Sequence, residues 1–457
     1  MPFRSVNSVG RPSAMVSSWT RDVSSPTLAC NASCGGPAGS GSIGSKGSQP
    51  SSSPWARAAN RLNHKEVIVK IVVLGGAGKM GCIAVQDLAG DPRVDEVVIA
   101  DFDLDQARTV AGIINSSKVS VQHVDVNDHV ALVAVLQGAD ACLNATVYYF
   151  NLAVMEACLE AGVPYTDMGG LFHTTRKQLE LSDRFAEAGL SAVLGMGSAP
   201  GVPNIQARYA ADRLDTVEYI HIYDGIKPPP PDEVRFTYAV PTIVDELTLS
   251  PMVYRDGEFL ACEPLSEFED YWFTRPVGLL PMHLSLHSEV ATLPLSFRHK
   301  GVQEVFFKIN YWGMAKETVD KIRVLADFGF AGRQPVEVKG QQIVPRDLLV
   351  ALMSGYVPPI TDFLAPPQNR PPDWVKEIVT EVRGTKGGKT LTYRLGTLTC
   401  KGALPTGVAP SRAAIWLAEG RISPGIHPPE LALDPLPFLK ELEQREIYTQ
   451  VSVTELL

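Results

Sequence analysis

The 457-residue chain has no apolar run long enough to span a bilayer, so no transmembrane helix is expected. It has no surplus of positive charge: 41 Lys and Arg stand against 50 Asp and Glu, for a formal net charge of −9. No basic stripe is present either, which argues against a nucleic-acid partner. Cysteine is scarce, with seven scattered residues. Cys30 and Cys34 form the only close pair, and no histidine cluster accompanies them. An odd set of separated thiols points to a reducing compartment and away from a zinc site; no metal is expected. No G-x-S-x-G occurs, so nothing supports Ser-His-Asp hydrolysis. No internal repeat is found. What is present, 45% hydrophobic and 20% charged residues, is ordinary globular composition, and the length allows two or three domains.

Residues 1–65 are rich in Ser and Gly, and Asp22 is the only acid before Glu66. Arg4, Arg11, Arg21, Lys46, Arg57 and Arg61 make the stretch basic. Such composition cannot bury enough apolar surface to offset its ordering entropy. Two readings stand: a disordered tail on a cytoplasmic protein, or an organellar transit segment.

The organising stretch is Ile71 to Gly81, IVVLGGAGKMG. An apolar strand runs from Val67 to Leu74, broken only by Lys70, and ends in glycines. Gly76, Gly78 and Gly81 fit G-x-G-x-x-G, and helical spacing follows through Met80, Ile83, Ala84 and Leu88. At a strand-to-helix turn these glycines allow a tight turn, backbone approach to a pyrophosphate, and close helix–strand packing. The phosphate then meets the N–H groups at the positive end of the helix. The loop Gly76, Ala77, Gly78, Lys79, Met80, Gly81 is the expected cofactor cradle. A second apolar run, Val97 to Ala100, closes in Asp101, 20 residues after Gly81. An acid there accepts from the adenosine ribose hydroxyls; the bland alternative is a cap on the helix that follows. Asp103 and Asp105 lie close by, with no Arg beside Asp101. A ribose phosphate would meet negative charge, so the cofactor expected is NAD, with NADP less favoured.

From Glu66 strands alternate with helices. Strands are expected at Val119 to Val124, Ala139 to Ala145, Tyr165 to Met168 and Leu190 to Gly195. Helices are expected at Val130 to Leu136, Asn151 to Ala161, Arg176 to Ala188 and Ile205 to Leu214. That pattern gives α/β architecture: a six-stranded, doubly wound Rossmann parallel sheet with ligands at the strands' carboxyl ends. Asp101, Asp125, Val126, Ala145, Thr146 and Asp167 all fall at or just beyond such ends. The expected division is a leader over residues 1–65, a dinucleotide-binding domain over 66–200 and a second α+β substrate domain over 201–399. A C-terminal segment over 400–457 completes it. In that segment Gly402 to Pro410 reads as a loop and Ser411 to Glu419 as a helix. Pro-rich joints at Pro358-Pro359, Pro366-Pro367 and Pro371-Pro372 mark surface loops.

Taken together, the segments VVLGGAGKMG, LNATVYYFNLAVMEACLEAGVPYTDMGG, GMGSAPGVPNI and TGVAPSRAAIWLAEGRISPGIHPPE resemble the saccharopine dehydrogenase-like family, from about Ile71 to Ile447. That family includes saccharopine reductases and lysine 6-dehydrogenases. EPLSEFEDYWF is similar to the latter, whereas Leu286 to Val290 departs from them, which puts the substrate in question rather than the fold. The resemblance implies NAD(P)-dependent oxidation of a CH–NH group on a lysine-related amino acid. It also implies that the C-terminal segment returns to the cofactor domain and that the second domain forms a homodimer.

Hydride transfer beside a nitrogen requires a base, because only an uncharged amine can release hydride to form an imine. Three groups are candidates for that proton: His287, Glu289 and Asp167. Asp167 ends a strand before two glycines. His287 and Glu289 share the HSE segment, where an imidazole suits proton transfer near neutral pH. Tyr148, Gly169, Gly170 and His283 are the expected substrate contacts. Arg235, Arg298 and Lys300 are available for a carboxylate, with none singled out. The competing class is a protein that binds NAD as a sensor or scaffold without turnover.

Overall fold

The structure is a computed structural model, and it describes residues 69–228, 233–236, 238–364 and 375–457. The basic leader, most of the proline run after Lys227, and the joints at Pro366-Pro367 and Pro371-Pro372 lie outside the described residues. In β1 (Lys70–Leu74) the residues Ile71 to Leu74 are fully buried. Burial on both faces of the sheet explains a continuous apolar run in place of alternation. There follow α1 (Gly81–Gly90), β2 (Glu96–Asp101), α2 (Leu104–Ile114), β3 (Val119–His123), α3 (His129–Leu136), β4 (Ala141–Asn144) and α4 (Asn151–Ala161). Next come β5 (Tyr165–Asp167), α5 (Leu171–Leu179), α6 (Ser182–Glu187) and β6 (Ser191–Val193). The strands pair in parallel in the order β3-β2-β1-β4-β5-β6. The order reverses between β1 and β4, and the crevice beyond their carboxyl ends is where such sheets take ligands.

The chain then enters a second sheet. α7 (Val202–Ala211) leads into β7 (Thr216–Ile226), followed by α8 (Val240–Thr248), β8 (Met252–Arg255), β9 (Glu258–Ala261), β10 (Glu269–Trp272) and β11 (Leu279–Leu284). After these come α9 (Glu289–Phe297), β12 (Glu304–Ile309), α10 (Lys316–Asp327), β13 (Val336–Val338), β14 (Gln341–Ile343), α11 (Pro345–Ser354) and α12 (Ile360–Leu364). The long hairpin β15 (Lys376–Lys386) and β16 (Lys389–Thr399) completes the middle of the chain. β7 lies at the centre, parallel to β12 and antiparallel to β15. Its side chains alternate. Ile220 and Ile222 enter the core under α7 to α9, while Tyr219 and His221 stack on the opposite face at 3.9 Å. Continuing the inner row by twos places Asp224 and Ile226 at the strand's carboxyl end, facing the first sheet.

The C-terminal segment serves both sheets. α13 (Leu404–Ala418) packs on α1, and β17 (Gly425–His427) adds a seventh parallel strand beside β6. After α14 (Pro429–Ala432) and α15 (Pro435–Glu443), β18 (Tyr448–Leu456) pairs with β16 in the second sheet. Arg412 of α13 is fully buried among Asp87, Asp91 and Ser411, and Arg445 reaches the same two aspartates. Among the described residues no helix is long and apolar enough to cross a membrane.

Four expectations need correction. The parallel sheet has seven strands, because three residues near the chain end were too short to read as a strand. The stretch Gly402 to Pro410 is mostly helical: α13 starts at Leu404, with Pro405 in the first turn, where no intrahelical N–H is needed. Its Gly407 is a packing residue, since a Cβ there would lie 2.5 Å from Ile83 Cβ on α1. The helix expected over Arg176 to Ala188 is two helices. The N–H groups of Glu180 and Leu181 bond back three residues, to Lys177 and Gln178, which tightens the chain and ends α5. The helix expected from Ile205 begins at Val202, with Asn204 Oδ1 accepting from Gly201 N–H at 3.0 Å.

Candidate functional site

The glycine loop stands at the point where the strand order reverses. A Cβ on Gly81 would lie 2.2 Å from the Gly75 carbonyl oxygen, so the first turn of α1 closes on the loop only with glycine there. The backbone is thereby left open as an anion cradle at the helix start. Asp101 ends β2 and turns back toward this loop: its Oδ2 accepts from Ala77 N–H at 2.9 Å and its Oδ1 from Asp103 N–H at 3.0 Å. The cap of α2 is Asp103, which accepts from Gln106 N–H at 2.9 Å. Lys79 lies 5.6 Å from the Phe363 ring of α12, and burial lowers its ammonium below the ordinary lysine value. Asp125 lies just past β3 and accepts from Asn127 N–H at 2.9 Å; Val126 beside it packs on the core. Thr146 follows β4, and its hydroxyl donates to Asn144 Oδ1 at 2.6 Å. Loop, acid and strand-end residues therefore share the carboxyl edge of one sheet, a cradle that fits a dinucleotide.

A cavity of about 240 Å³ opens between the two sheets. Its first-sheet wall includes Met80, Ala145, Thr146, Tyr148 and Gly169. Its second-sheet wall carries Asp224, Arg235, Glu246, His287, Ser288 and Lys376. His287 precedes α9 and stacks on Phe307 of β12, with ring centroids 3.6 Å apart and planes 10° from parallel. Its Nδ1 lies 2.8 Å from Glu289 Oε2, and Glu289 is fully buried. Burial alone would lower the imidazole, but the Glu289 carboxylate, with Glu246 and Asp224 beyond it, holds it above the ordinary histidine value. Ser288 Oγ accepts from Gly170 N–H at 3.4 Å, tying this segment to the loop after β5.

The other expected residues are placed differently. Asp167 is buried beneath the cavity and does not line it. It accepts from Gly195 N–H at 2.7 Å, Gln178 Nε2 at 2.6 Å, Tyr165 Oη at 2.9 Å, Gly169 N–H at 2.9 Å and Asn151 Nδ2 at 3.2 Å. Burial pushes its carboxyl up against the pull of those donors. The carboxylate holds the Met168–Gly169 turn rather than facing a reacting atom. His283, at the end of β11, faces the core. Its Nδ1 lies 3.0 Å from the Leu284 carbonyl, its Nε2 accepts from Tyr311 N–H at 3.2 Å, and burial lowers it to about 4. Three residues separate the two histidines, and of the two only His287 lines the cavity. Tyr148 does line it, held by a 2.9 Å hydrogen bond to Asp245 Oδ2. Of the three basic residues considered for a carboxylate, Arg235 lines the cavity, whereas Lys300 is spent on the Leu214 carbonyl and Arg298 lies in the turn after α9.

Asp224, Glu246 and Lys376 were not anticipated. They come from β7, α8 and β15, and only strand pairing brings them together. The one local signal was alternation in Thr216 to Ile226, which places an aspartate where an apolar residue would continue the row. Among the described residues no group of three or more His, Cys, Asp or Glu is arranged to hold a metal ion.

A doubly wound parallel sheet with a glycine cradle at its switch point, facing a buried histidine–carboxylate pair across a cavity, defines a nicotinamide-dinucleotide oxidoreductase. Over residues 71–193 the chain matches the family described as the saccharopine dehydrogenase NADP-binding domain. It is 28% identical over 292 residues to carboxyaminopropylagmatine dehydrogenase of Synechocystis sp., covering 62% of this chain and 72% of that protein. It is 24% identical over 341 residues to carboxynorspermidine synthase of Vibrio cholerae, covering 69% of this chain and 78% of that protein. In fold it is similar to apo saccharopine dehydrogenase (L-Glu forming) from Saccharomyces cerevisiae, with a TM-score of 0.61, 18% identity, and coverage of 84% of this chain and 100% of the other. Homospermidine synthase from Legionella pneumophila in complex with NAD gives a TM-score of 0.58 at 14% identity, covering 84% and 91%.

Proposed function

We propose that this chain oxidises, or in reverse forms, the C–N bond of a secondary amine that carries an amino-acid carboxylate. The supporting observation is one cavity lined by His287, which is backed by the buried Glu289, together with the first-sheet strand ends and the basic side chains Lys227, Arg235 and Lys376. The relatives support the same class, since their names combine a carboxyl group with an amine chain. A lysine-derived secondary amine is one member of this class and stands as the second reading.

When bound, the nicotinamide ring takes up or gives back hydride at C4. In the oxidative direction His287 takes the proton from the substrate ammonium, leaving a nitrogen lone pair. That pair forms the C=N bond as hydride leaves the adjacent carbon. Water then adds to the imine carbon, and cleavage releases a carbonyl compound and an amine. Glu289 stabilises the imidazolium formed on His287, while Phe307 fixes its plane. Asp167 acts at a distance by holding Met168 and Gly169 on the cavity wall. Arg235 and Lys227 provide charge for the substrate carboxylate. Asp101 supports a preference for NAD, because it would accept from ribose hydroxyls and repel a phosphate.

The test is a panel of secondary amines, each joining an amino acid to a second amine, assayed for reduction of NAD and NADP. Reduction by carboxylated members, and none by the same amines without the carboxylate, is expected. Tight dinucleotide binding with no reduction by any amine would contradict the reading and favour a binding protein without turnover.

A further inference from the structure

Asp245 of α8 does not line the cavity and has no part in the proposed chemistry. Yet donors from three other segments converge on its carboxylate, which is 2% exposed. From the first-sheet half, in the turn between β4 and α4, Tyr148 Oη donates to Oδ2 at 2.9 Å, and Tyr149 Oη donates to the same oxygen. From the second-sheet half, Arg346 of α11 meets Oδ1 at 2.8 Å. Arg333, between α10 and β13, donates to Oδ1 at 3.1 Å. Both guanidinium groups also donate to Tyr149 Oη at 2.9 Å, and Arg333 lies 4.7 Å from the centre of the Tyr149 ring. Burial, with Asp245 beside them, raises both phenols above the ordinary tyrosine value, so they stay protonated and act as donors. Five side chains thus form one charge-assisted network between the two halves of the molecule, and such hydrogen bonds are stronger than neutral ones. By comparison, the tie from Gly170 N–H to Ser288 Oγ is neutral and 3.4 Å long.

We infer that Asp245 is a positioning residue: through Tyr148 and Tyr149 it clasps the first-sheet wall of the cavity to the second-sheet wall and sets the spacing across which hydride passes. Tyr148 carries the effect, because Asp245 holds its hydroxyl while the residue lines the cavity beside Ala145 and Thr146. The crevice beyond the ends of β1 and β4 is where such a sheet takes a dinucleotide, and His287 stands on the opposite wall. Transfer between groups held on two walls tolerates little slack in their separation. A ring enters or leaves such a cavity only when the walls part. The network serves both ends: closed, it fixes the spacing, and open, it lets the dinucleotide pass. The Arg333 side chain is 54% exposed and Tyr149 is 39% exposed, so the clasp reaches the surface and opens without unfolding of the core. The inference uses the dinucleotide cradle and does not depend on which amine is the substrate.

The experiment measures association and dissociation rates of NADH and of NADPH by stopped-flow nicotinamide fluorescence. It compares the wild-type chain with Tyr149→Phe, Arg333→Gln and Asp245→Asn, with no amine present. Opening precedes both entry and exit, so the two rate constants should rise together. A rise of about tenfold is expected in Tyr149→Phe and in Arg333→Gln, with the dissociation constant changed by less than about threefold. Asp245→Asn should give the largest rise. A residue that only supports the fold would give another pattern: faster dissociation, with association unchanged or slower. That pattern, or unchanged rates in both Tyr149→Phe and Arg333→Gln, overturns the clasp. Because no amine is used, its failure leaves the secondary-amine reading standing, and failure of the amine panel leaves these rates as they are. Should Asp245→Asn fail to fold, the two variants at the rim decide the matter.

Discussion

His287 Nδ1 lies 2.8 Å from Glu289 Oε2, and both side chains are shut away from solvent at a cavity between two sheets. The pair is two residues apart in sequence, at the start of α9, with the imidazole flat against Phe307. Such an arrangement fixes which ring nitrogen meets the carboxylate and leaves the other for the cavity.

The proposed preference for NAD rests on Asp101. Asp101→Ser removes the acceptor for the ribose hydroxyls and the charge that opposes a phosphate. NAD affinity is expected to fall by about tenfold, with the NAD-to-NADP ratio narrowing as well. Fluorescence titration of both dinucleotides checks this, and a wild-type chain that binds NADP more tightly contradicts it.

Asp167 is expected to matter for stability and for the shape of the turn that it holds. Asp167→Asn cannot accept from all five donors. Urea unfolding should show a loss of about 3 kcal/mol, with dinucleotide affinity and turnover reduced together. A variant of unchanged stability that lost turnover alone would make Asp167 a proton-transfer group instead.

Helix α13 is pinned to α1 and the loop after it by charge. Arg412→Met leaves Asp87 and Asp91 with only Arg93 and Arg445, and should cost about 3 kcal/mol, read as a lower urea midpoint. Burial works against the charge on Asp91, yet hydrogen bonds from Arg93 and Arg412 hold its carboxyl well below the usual carboxylate range. A depressed carboxyl contributes stability that is complete above its unfolded pKa and lost as pH falls through the folded value. The wild-type chain should therefore lose stability progressively below pH about 4, and Arg412→Met should show a shallower loss. Identical acid profiles for the two would contradict the role of the pair.

Much of the first sheet was legible because its strands are buried on both faces. Ile71 to Leu74 and Val97 to Ala100 had to be apolar without interruption, and the glycines had to follow. β17 was not legible: its three residues become a strand only by pairing with β6, more than two hundred residues earlier. The start of α13 was hidden by Pro405 and Gly407, which local propensity assigns to a loop and packing against α1 accepts in a helix. Asp167 looked like a candidate base because it ends a strand, but position at a strand end does not say which way the side chain turns. His287 was expected as a base and His283 as a substrate contact, but strand pairing sends His283 into the core. Asp224, Glu246 and Lys376 meet only through the register of β7 with β15 and the packing of α8, which no local spacing records.

The measurement that bears most directly on the account is the pH dependence of kcat for amine oxidation in the wild-type chain, His287→Ala and Glu289→Gln. Since His287 is held above its ordinary value, oxidation needs it deprotonated. Wild-type kcat should rise with pH through a midpoint above about 6.5. Glu289→Gln should move that midpoint downward, and His287→Ala should abolish it and lower kcat by about two to four powers of ten, with NAD affinity nearly unchanged. A wild-type kcat independent of pH across that range, or a His287→Ala variant with undiminished turnover, would contradict the assignment of the proton to this pair.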